Sequence, residues 1–544
     1  MAVGHEEPPF VSLIGPLAWS SGDGHPSSAA NVSPACDSRN EVSPRFAQPP
    51  RFVHLEVVAK RTHQLRVLLV ITVLFTGWVA FAAFGPSTAA TVAVVDERGE
   101  PVVGAVLTAG GGQLGVTGPD GVASVDWPDG EEVQVAADGF LPQPVLSPTV
   151  DTATTVRLMP HTLRGVVQDS AGRPVGGVYV ESGRGAAVSG PDGSFEVRLA
   201  EPGQVRVWRP AWHLGDFEWD GGLGERTIEI EPRVVKAVHV TGEAAGDPAR
   251  WAALLELKDS TELNGVMLDL KDEYGLIYYD TKVGVAEEAN AIYQTYDLAE
   301  IVREVDERGL YLIGRIVAFQ DPQAAHRVPD MAAWDTAIGG PYGKGGQWFL
   351  DPTDPKARGY AISLAVEACQ LGVDEIQFDY VRYPDGLPDT VVFDGGSDAD
   401  SRVATIESFL LEARDVLHPL GCAVAADIFG FITTARDDGG IGQQWEVVAD
   451  ALDVVSPMLY PSHYSADWYG FARPVDHPGE MVERALTDGI SRLERGTVIR
   501  PWLQDFGYTA DQVRAQTDSA ESFGLGWMLW NAFSNVSVDA LDPG

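Results

Sequence analysis

The chain has 544 residues, with 78 acidic and 38 basic side chains, and a formal net charge of -40 at pH 7. Such an acidic surface repels a polyanion, so we exclude nucleic acid as a partner. The length predicts several domains, since about 300 residues suffice for one large α/β barrel. The cysteines, Cys36, Cys369 and Cys422, are too few for a disulfide framework. We expect the last two to be buried free thiols.

An apolar run near the start predicts a membrane anchor. Residues 67–84 carry no charge and are just long enough to cross a bilayer core as a helix. Lys60, Arg61 and Arg66 precede the run, so the positive-inside rule places residues 1–66 in the cytoplasm. We interpret those residues as a disordered tail, or as the product of a start codon assigned too far upstream. A cleaved signal peptide is the alternative. We favour a single-pass protein of the cell membrane, held in the lipid bilayer with its later domains outside.

After the anchor the sequence repeats itself. Residues 94–106 match residues 166–178 with one insertion, and Gly118-Pro-Asp-Gly121 matches Gly190-Pro-Asp-Gly193. Short alternating runs between Gly, Pro and Asp turns predict two small antiparallel β-sandwiches, at residues 90–159 and 160–232. Both resemble the carboxypeptidase regulatory-like domain, which implies an immunoglobulin-like fold. The resemblance also implies spacer or binding modules without a catalytic group.

Residues 233–544 change to a rhythm of strand, loop and helix. Helix ends are marked by Asp297 and Gly309, and by Asp354-Pro355 and Gly372. Seven crossover helices between eight buried strands predict a (β/α)8 TIM barrel. The predicted strands are Val234–Val240, Gly265–Leu270, Tyr311–Phe319, Glu375–Val381, Ala423–Phe429, Val454–Tyr460, Val498–Phe506 and Gly526–Trp530. No helix follows strand eight, so either residues 534–544 or part of the preceding module covers that face.

Polar and aromatic side chains stand at the carboxyl ends of these strands, where the chemistry of a TIM barrel is normally done. Carboxylate pairs flanked by aromatic rings are typical of glycosidic bond hydrolysis. We predict Asp379 and Asp427 as catalytic residues. The predicted substrate-binding residues are Asp269, Lys271, Arg315, Arg382, Tyr460, His463, Trp502, Asp505 and Trp530.

Each of these residues also has a structural interpretation. Asp379 could close the barrel mouth by pairing with Arg315 or Arg382, and Asp427 could cap the loop that follows it. Asp269 and Asp505 could equally anchor loops. We predict no metal and no cofactor, because no His-x-His, His-Glu-x-x-His or Cys-x-x-Cys spacing occurs. Serine-nucleophile and phosphate-loop motifs are also missing.

Residues 234–535 contain nine sequence motifs, at 265–272, 314–319, 348–352, 375–384, 426–430, 441–446, 453–463, 501–506 and 526–531. In these motifs and in their order along the chain, the segment resembles the putative glycosyl hydrolase domain family, a (β/α)8 group. The resemblance implies hydrolysis of an O-glycosidic bond. Asp379 also resembles the strand-four nucleophile of the α-amylase clan. That clan usually has Glu on strand five, where this chain has Asp427.

The sequence therefore predicts a two-carboxylate glycoside hydrolase that acts on an extracellular or cell-envelope polysaccharide. Asp379 is the candidate nucleophile or base and Asp427 the candidate general acid. Neighbouring strands lie about 4.8 Å apart, which favours a retaining pair, whereas Asp379 with Asp505 would suit inversion. The main alternative is a non-catalytic carbohydrate-binding barrel at the cell surface. A metal-dependent deacetylase or amidohydrolase ranks below both, since paired histidines are missing.

Overall fold

The computed structural model describes residues 88–127, 130–146 and 153–544. The predicted cytoplasmic tail and the predicted anchor at residues 67–84 lie outside these ranges, so the anchor stays a prediction. Within the described ranges, none of the helices has both the length and the apolar character needed to cross a membrane.

Two β-rich units come first, and they share one topology. Each has seven strands in two sheets: the first strand lies between the fourth and the seventh, and the other four follow the order three, two, five, six. The strands of the first unit are Thr88–Val95, Val106–Ala109, Gly112–Val116, Val122–Trp127, Glu132–Ala136, Gln143–Leu146 and Thr154–Arg157. Those of the second are Thr162–Gln168, Tyr179–Ser182, Gly185–Val188, Ser194–Arg198, Gly203–Trp208, Gly215–Trp219 and Arg226–Glu229. Their resemblance to the carboxypeptidase regulatory-like domain stays a prediction.

The repeated Gly-Pro-Asp-Gly phrase forms the same turn in both units. Its last glycine has a positive φ, +71° at Gly121 and +75° at Gly193. A Cβ there would lie 2.7 Å from the Val94 oxygen in the first unit and 2.3 Å from the Val167 oxygen in the second. Only glycine combines this backbone conformation with so close a contact, which explains why both copies of the phrase end on it.

A closed barrel of eight parallel strands follows, as the sequence predicts. Its strands, numbered one to eight here, are Lys236–Val240, Gly265–Lys271, Tyr311–Val317, Glu375–Asp379, Ala423–Phe429, Val454–Leu459, Val498–Ile499 with Trp502–Gln504, and Trp527–Trp530. Each pairs in parallel with the next, and strand eight pairs with strand one. Strand seven is interrupted at Pro501, which has no N–H for the ladder.

Helices surround the barrel: Gly242–Gly246, Pro248–Glu256, Gly284–Glu288, Leu298–Glu307, Pro322–Arg327, Pro355–Leu371, Ala399–Leu417, Trp445–Ala451, Pro478–Ser491 and Ala510–Glu521. The predicted caps are present, with Asp297 accepting from Ala299 N and Asp354 from Ala357 N. After strand eight the chain forms only a short 3-10 turn, Val538–Ala540. Leu541 is buried there, and its oxygen accepts a hydrogen bond from Arg514 Nη2 at 3.2 Å. The terminal segment thus covers the face that lacks an eighth helix.

The second β-rich unit packs against the barrel at the amino-terminal ends of its strands. Val175 and Trp212 of that unit share an apolar cluster with Ala423 and Val454. Next to them Arg209 is 6% exposed, and its Nε and Nη2 donate to Asp453 Oδ1 at 3.1 and 3.0 Å. The unit is therefore a structural part of the barrel and not a detached spacer.

Cys369 and Cys422 form a disulfide, with their Cα atoms 5.9 Å apart. The expectation of buried free thiols is therefore wrong for this pair. Cys369 lies in the last turn of the helix that packs beside strand four, and Cys422 immediately precedes strand five. Helix and strand placement brings the two residues together, although 53 positions separate them in the sequence.

Replacing both cysteines by serine is expected to lower the free energy of unfolding by about 2–4 kcal/mol, because the unfolded chain loses a cross-link. Urea unfolding of the variant and of the reduced wild type measures the effect. If wild type unfolds identically with and without reductant, this disulfide does not contribute to stability.

Candidate active site

The carboxyl ends of the strands bring one polar or aromatic side chain from each strand to the mouth of the barrel. In strand order these residues are His239, Asp269, Arg315, Asp379, Asp427, Tyr460, Trp502 and Trp530. Directly beneath them, Met267, Ile313 and Met528 belong to the apolar filling of the barrel. The mouth is therefore a polar layer on a packed floor, which is where TIM-barrel chemistry takes place.

Arg315 is the centre of this layer and is only 2% exposed. Its Nε and Nη2 donate to Asp379 Oδ2 at 3.0 and 2.6 Å, and its Nη1 donates to Asp269 Oδ1 at 2.8 Å. The other oxygen of Asp379 accepts from the Tyr380 N–H at 2.6 Å. Tyr380 has a φ of +50°, so the chain turns sharply where the strand ends. This geometry fixes the Asp379 carboxylate beside a buried positive charge.

Asp427 is the second carboxyl group at the centre. Its Oδ2 lies 4.0 Å from Arg315 Nε, and its Oδ1 accepts hydrogen bonds from Gln377 and from the Trp502 indole. Burial and the neighbouring Asp379 carboxylate raise the pKa of Asp427 well above its usual range. Of the two carboxyl groups, Asp427 is therefore the one that holds a proton more readily, while Asp379 is ion-paired with Arg315.

A histidine completes the charged layer. His239 Nε2 lies 3.0 Å from Asp269 Oδ2, and its Nδ1 lies 2.9 Å from the Asn531 carbonyl oxygen. Burial by itself would raise the pKa of Asp269, but His239 and Arg315 outweigh burial and hold that pKa below its usual range. Both oxygens of Asp269 are thus occupied by internal partners.

Aromatic rings line the opposite side of the mouth. Trp530 stacks on the His239 ring at 4.0 Å between centroids, and the Arg315 guanidinium lies 5.0 Å from the Trp530 ring. Trp502 meets Trp530 edge to face at 5.3 Å. Burial, then the nearby Asp427 and Asp379, raise the pKa of Tyr460 well above its usual range, so its hydroxyl stays a hydrogen-bond donor.

Two predicted substrate-binding residues are held by partners outside the central carboxylates. Lys271 is 1% exposed and forms an ion pair with Asp321 at 3.0 Å, with its ammonium also donating to the Val317 oxygen. Asp505 accepts at Oδ2 from Ser537 N at 2.9 Å, and burial raises its pKa. These contacts hold Lys271 in the packing around the barrel and connect Asp505 to the terminal segment, while their substrate-binding roles stay predictions.

Two others stand at the margin of the mouth. Arg382 lies over the rings of Phe429 and Tyr380, at 5.0 and 5.4 Å from their centroids. His463 meets the Tyr460 ring edge to face at 5.2 Å and is exposed. Arg382 therefore packs on the ring of Tyr380, whose N–H donates to Asp379. His463 packs against the ring of Tyr460.

Sequence reasoning missed three residues that the structure adds. His239 is the second-last residue of strand one, and extending the search for polar strand ends to that strand would have found it. Gln377 lies two residues before Asp379 and so on the same face of strand four. Glu273 follows strand two, with its Oε2 3.6 Å from Arg315 Nη2 and its side chain 35% exposed. Glu273 had no sequence signal, because several acidic residues crowd that loop.

The layer can act as an acid and nucleophile pair, since it places a carboxyl group of raised pKa beside one that is ion-paired with a guanidinium. In the described parts of the chain, no group of three or more His, Cys, Asp or Glu side chains is arranged to hold a metal ion.

Comparison with known proteins gives a family match over residues 237–535, to the family described as Putative glycosyl hydrolase domain. No curated protein matches the chain. Among solved structures, a hypothetical protein from Ruminiclostridium thermocellum is 28% identical, covering 34% of this chain and 96% of its own, with a TM-score of 0.32. The glycoside hydrolase domain of PgaB (BpsB) from Bordetella bronchiseptica is 14% identical, covering 57% and 99%, with a TM-score of 0.42. That of PelA from Pseudomonas aeruginosa is 12% identical, covering 56% and 97%, with a TM-score of 0.34.

Proposed function

The chain belongs to the Putative glycosyl hydrolase domain family, and on that premise we propose that it hydrolyses O-glycosidic bonds of a polysaccharide by a two-carboxylate mechanism. The observation that carries the proposal is the asymmetry between Asp379 and Asp427 at one guanidinium. Asp379 is ion-paired with Arg315, while the pKa of Asp427 is raised. One ionised and one protonated carboxyl group are what glycoside hydrolysis requires.

Asp379 takes the role of nucleophile and Asp427 that of general acid. Arg315 Nε lies 3.0 Å from Asp379 Oδ2 and 4.0 Å from Asp427 Oδ2, so these two oxygens are at most about 7 Å apart. Retaining enzymes hold their carboxyl groups about 5 Å apart, and the shared nitrogen supports a retaining mechanism here. Trp530 is partly exposed and supplies an aromatic face for a sugar ring, while Tyr460 and Trp502, at 5% and 1% exposed, support the carboxyl groups from below.

The proposal is tested by incubating the protein with a panel of cell-envelope and storage polysaccharides and analysing the products. New reducing ends from at least one glycan, absent with an Asp379→Asn variant, support hydrolysis. Tight binding of a glycan without any product would instead favour the carbohydrate-binding alternative. Neutral glycans come first in the panel, because a surface with a net charge of -40 disfavours polyanionic ones.

Asp427→Asn is expected to slow hydrolysis strongly on natural glycans and much less on aryl glycosides, whose leaving groups need little protonation. In wild type, kcat/KM should also fall as the pH rises through the elevated pKa of Asp427, because the proton it donates is lost. The variant should lack that alkaline limb. The same comparison of natural glycans with aryl glycosides is made for a Glu273→Gln variant. If Glu273→Gln shows the selective loss and Asp427→Asn does not, the acid is Glu273.

We also propose that the barrel acts outside the cell, anchored by residues 67–84 with residues 1–66 inside. The Cys369–Cys422 disulfide supports this, because disulfides persist mainly in oxidising compartments. Protease added to intact cells should degrade the barrel and leave the segment before Arg66 protected. Antibodies against each end measure the outcome. A protected barrel with a cleaved tail would reverse the proposed orientation.

A further inference from the structure

Three buried carboxyl groups surround a single guanidinium at the mouth of the barrel, and a fourth, Glu273, lies 3.6 Å from it but is 35% exposed to solvent. Asp269 and Asp379 accept hydrogen bonds from Arg315, and Asp427 lies 4.0 Å from it. All three carboxyl groups are at most 7% exposed. One positive charge balances one carboxylate, and each further buried negative charge is costly. The layer therefore needs a second cation, or it must hold protons on the other two.

His239 faces this layer with both ring nitrogens opposite oxygen atoms. The Asn531 carbonyl oxygen can only accept, so Nδ1 carries a hydrogen. Nε2 lies opposite Asp269 Oδ2, while Oδ1 of the same carboxylate accepts from Arg315. An imidazolium, which donates from both nitrogens, satisfies both contacts while Asp269 stays ionised.

The remaining neighbours of the ring are compatible with a positive charge. Trp530 stacks on the ring from strand eight, and Trp502 meets it edge to face from strand seven at 6.3 Å. The face of an indole attracts a cation. Arg315 carries the same sign of charge, but Asp269 stands between the two groups and pairs with both. Glu273, Asp379 and Asp427 lie beyond, around the guanidinium.

We infer that His239 is a charged positioning residue: its imidazolium balances Asp269, which leaves the Arg315 guanidinium to Asp379. The charge of one histidine thereby sets which of three neighbouring carboxyl groups is ionised. The catalytic consequence rests on the proposed hydrolase function. The charge of the ring itself can be measured without a substrate.

The first test is nitrogen NMR of the full chain labelled with 15N-histidine, at pH 7.5. The His239 signals are those missing from a His239→Gln spectrum. Both ring nitrogens should give the chemical shifts of a protonated imidazolium. A neutral ring at this pH, with the proton on Asp269, would overturn the inference whatever the protein hydrolyses.

The second test is kinetic and uses the same variant, since glutamine keeps a donor near the position of Nε2 and removes the charge. Arg315 is then the only cation that pairs with Asp269 and Asp379. Because less positive charge balances them, these carboxyl groups take up a proton more readily. The acidic limb of the kcat profile should move up by about one pH unit. At the pH optimum kcat should fall about 10- to 100-fold with a smaller change in KM, as when an orienting partner is removed.

The barrel contains a matched control. His418 Nε2 lies 2.7 Å from Asp453 Oδ2, a second buried histidine–carboxylate pair that is located at the amino-terminal ends of the strands. His418→Gln should reduce stability and leave the acidic limb unchanged. An unmoved limb in His239→Gln, or an equal shift in both variants, contradicts the inference. A charged His239 in a protein that cleaves no glycan would refute the proposed function and not the charge assignment.

Discussion

Asp379→Asn is expected to lower kcat by several orders of magnitude while the protein stays folded and still binds its glycan. Asparagine keeps the shape of the side chain and can still accept from the Tyr380 N–H, but it cannot attack a sugar. Arg315 retains Asp269 as a partner, so no buried guanidinium is left unpaired. Because the lost interaction exists mainly in the transition state, kcat should fall far more than KM rises.

Asp374→Asn is the matched control, because Asp374 immediately precedes the strand that Asp379 ends. Its Oδ2 accepts from Leu312 N at 2.9 Å, a contact that an amide oxygen can replace. Burial raises the pKa of Asp374 to about 6, so removing its charge should not harm stability at neutral pH. Turnover of Asp374→Asn should match wild type. A purely structural role for Asp379 would instead lower the melting temperature and leave the folded fraction fully active.

Arg209→Met is expected to lower the free energy of unfolding of the barrel by about 3–5 kcal/mol. The substitution leaves the Asp453 carboxylate, which is 0% exposed, with His418 as its remaining side-chain partner. Burial alone would raise the pKa of Asp453, but His418 and Arg209 together hold it well below its usual range. Arg209 therefore contributes stability at pH values above the pKa that an aspartate has in the unfolded chain, and the substitution removes that contribution. Urea unfolding at pH 7 measures the loss.

Arg206→Met is the control, since Arg206 is exposed on the strand that leads to Arg209. A surface substitution of this kind changes stability by about 0.5 kcal/mol or less. Equal stability of the two variants would show that the second β-rich unit does not support the barrel. A large loss in Arg209→Met alone would show that the contact between the second β-rich unit and Asp453 stabilises the barrel.

The eight barrel strands could be predicted because each is a nearly continuous apolar run, as strands covered on both faces must be. The predicted first and last residues differ from the observed ones by up to two positions, mostly at the carboxyl ends of the strands. Cap residues such as Asp297 and Asp354 act within one turn of the chain, so local sequence suffices to place them. The Cys369–Cys422 pair could not be predicted, because only the packing of a helix on a strand brings the two residues together.

Candidate site residues were found where strand position alone decides the direction of a side chain. Asp269, Arg315, Asp379 and Asp427 meet at the mouth because alternate residues of parallel strands face the interior. Lys271 follows Asp269 by two positions but pairs with Asp321 instead, since a bulge shifts the strand register between those two residues. The contact of Asp505 with Ser537 could not be predicted, because Ser537 belongs to a terminal segment without periodicity.

The sequence by itself determined the (β/α)8 barrel, the repeated β-rich units and the strand ends on which the polar residues stand. These features depend on hydrophobic periodicity and turn residues, which are local properties. Only the tertiary structure decided how charge is divided at the mouth. Arg315 pairs with Asp379, His239 faces Asp269, and the pKa of Asp427 is raised because of burial and distances between strands. Burial and those distances exist only once the barrel has closed.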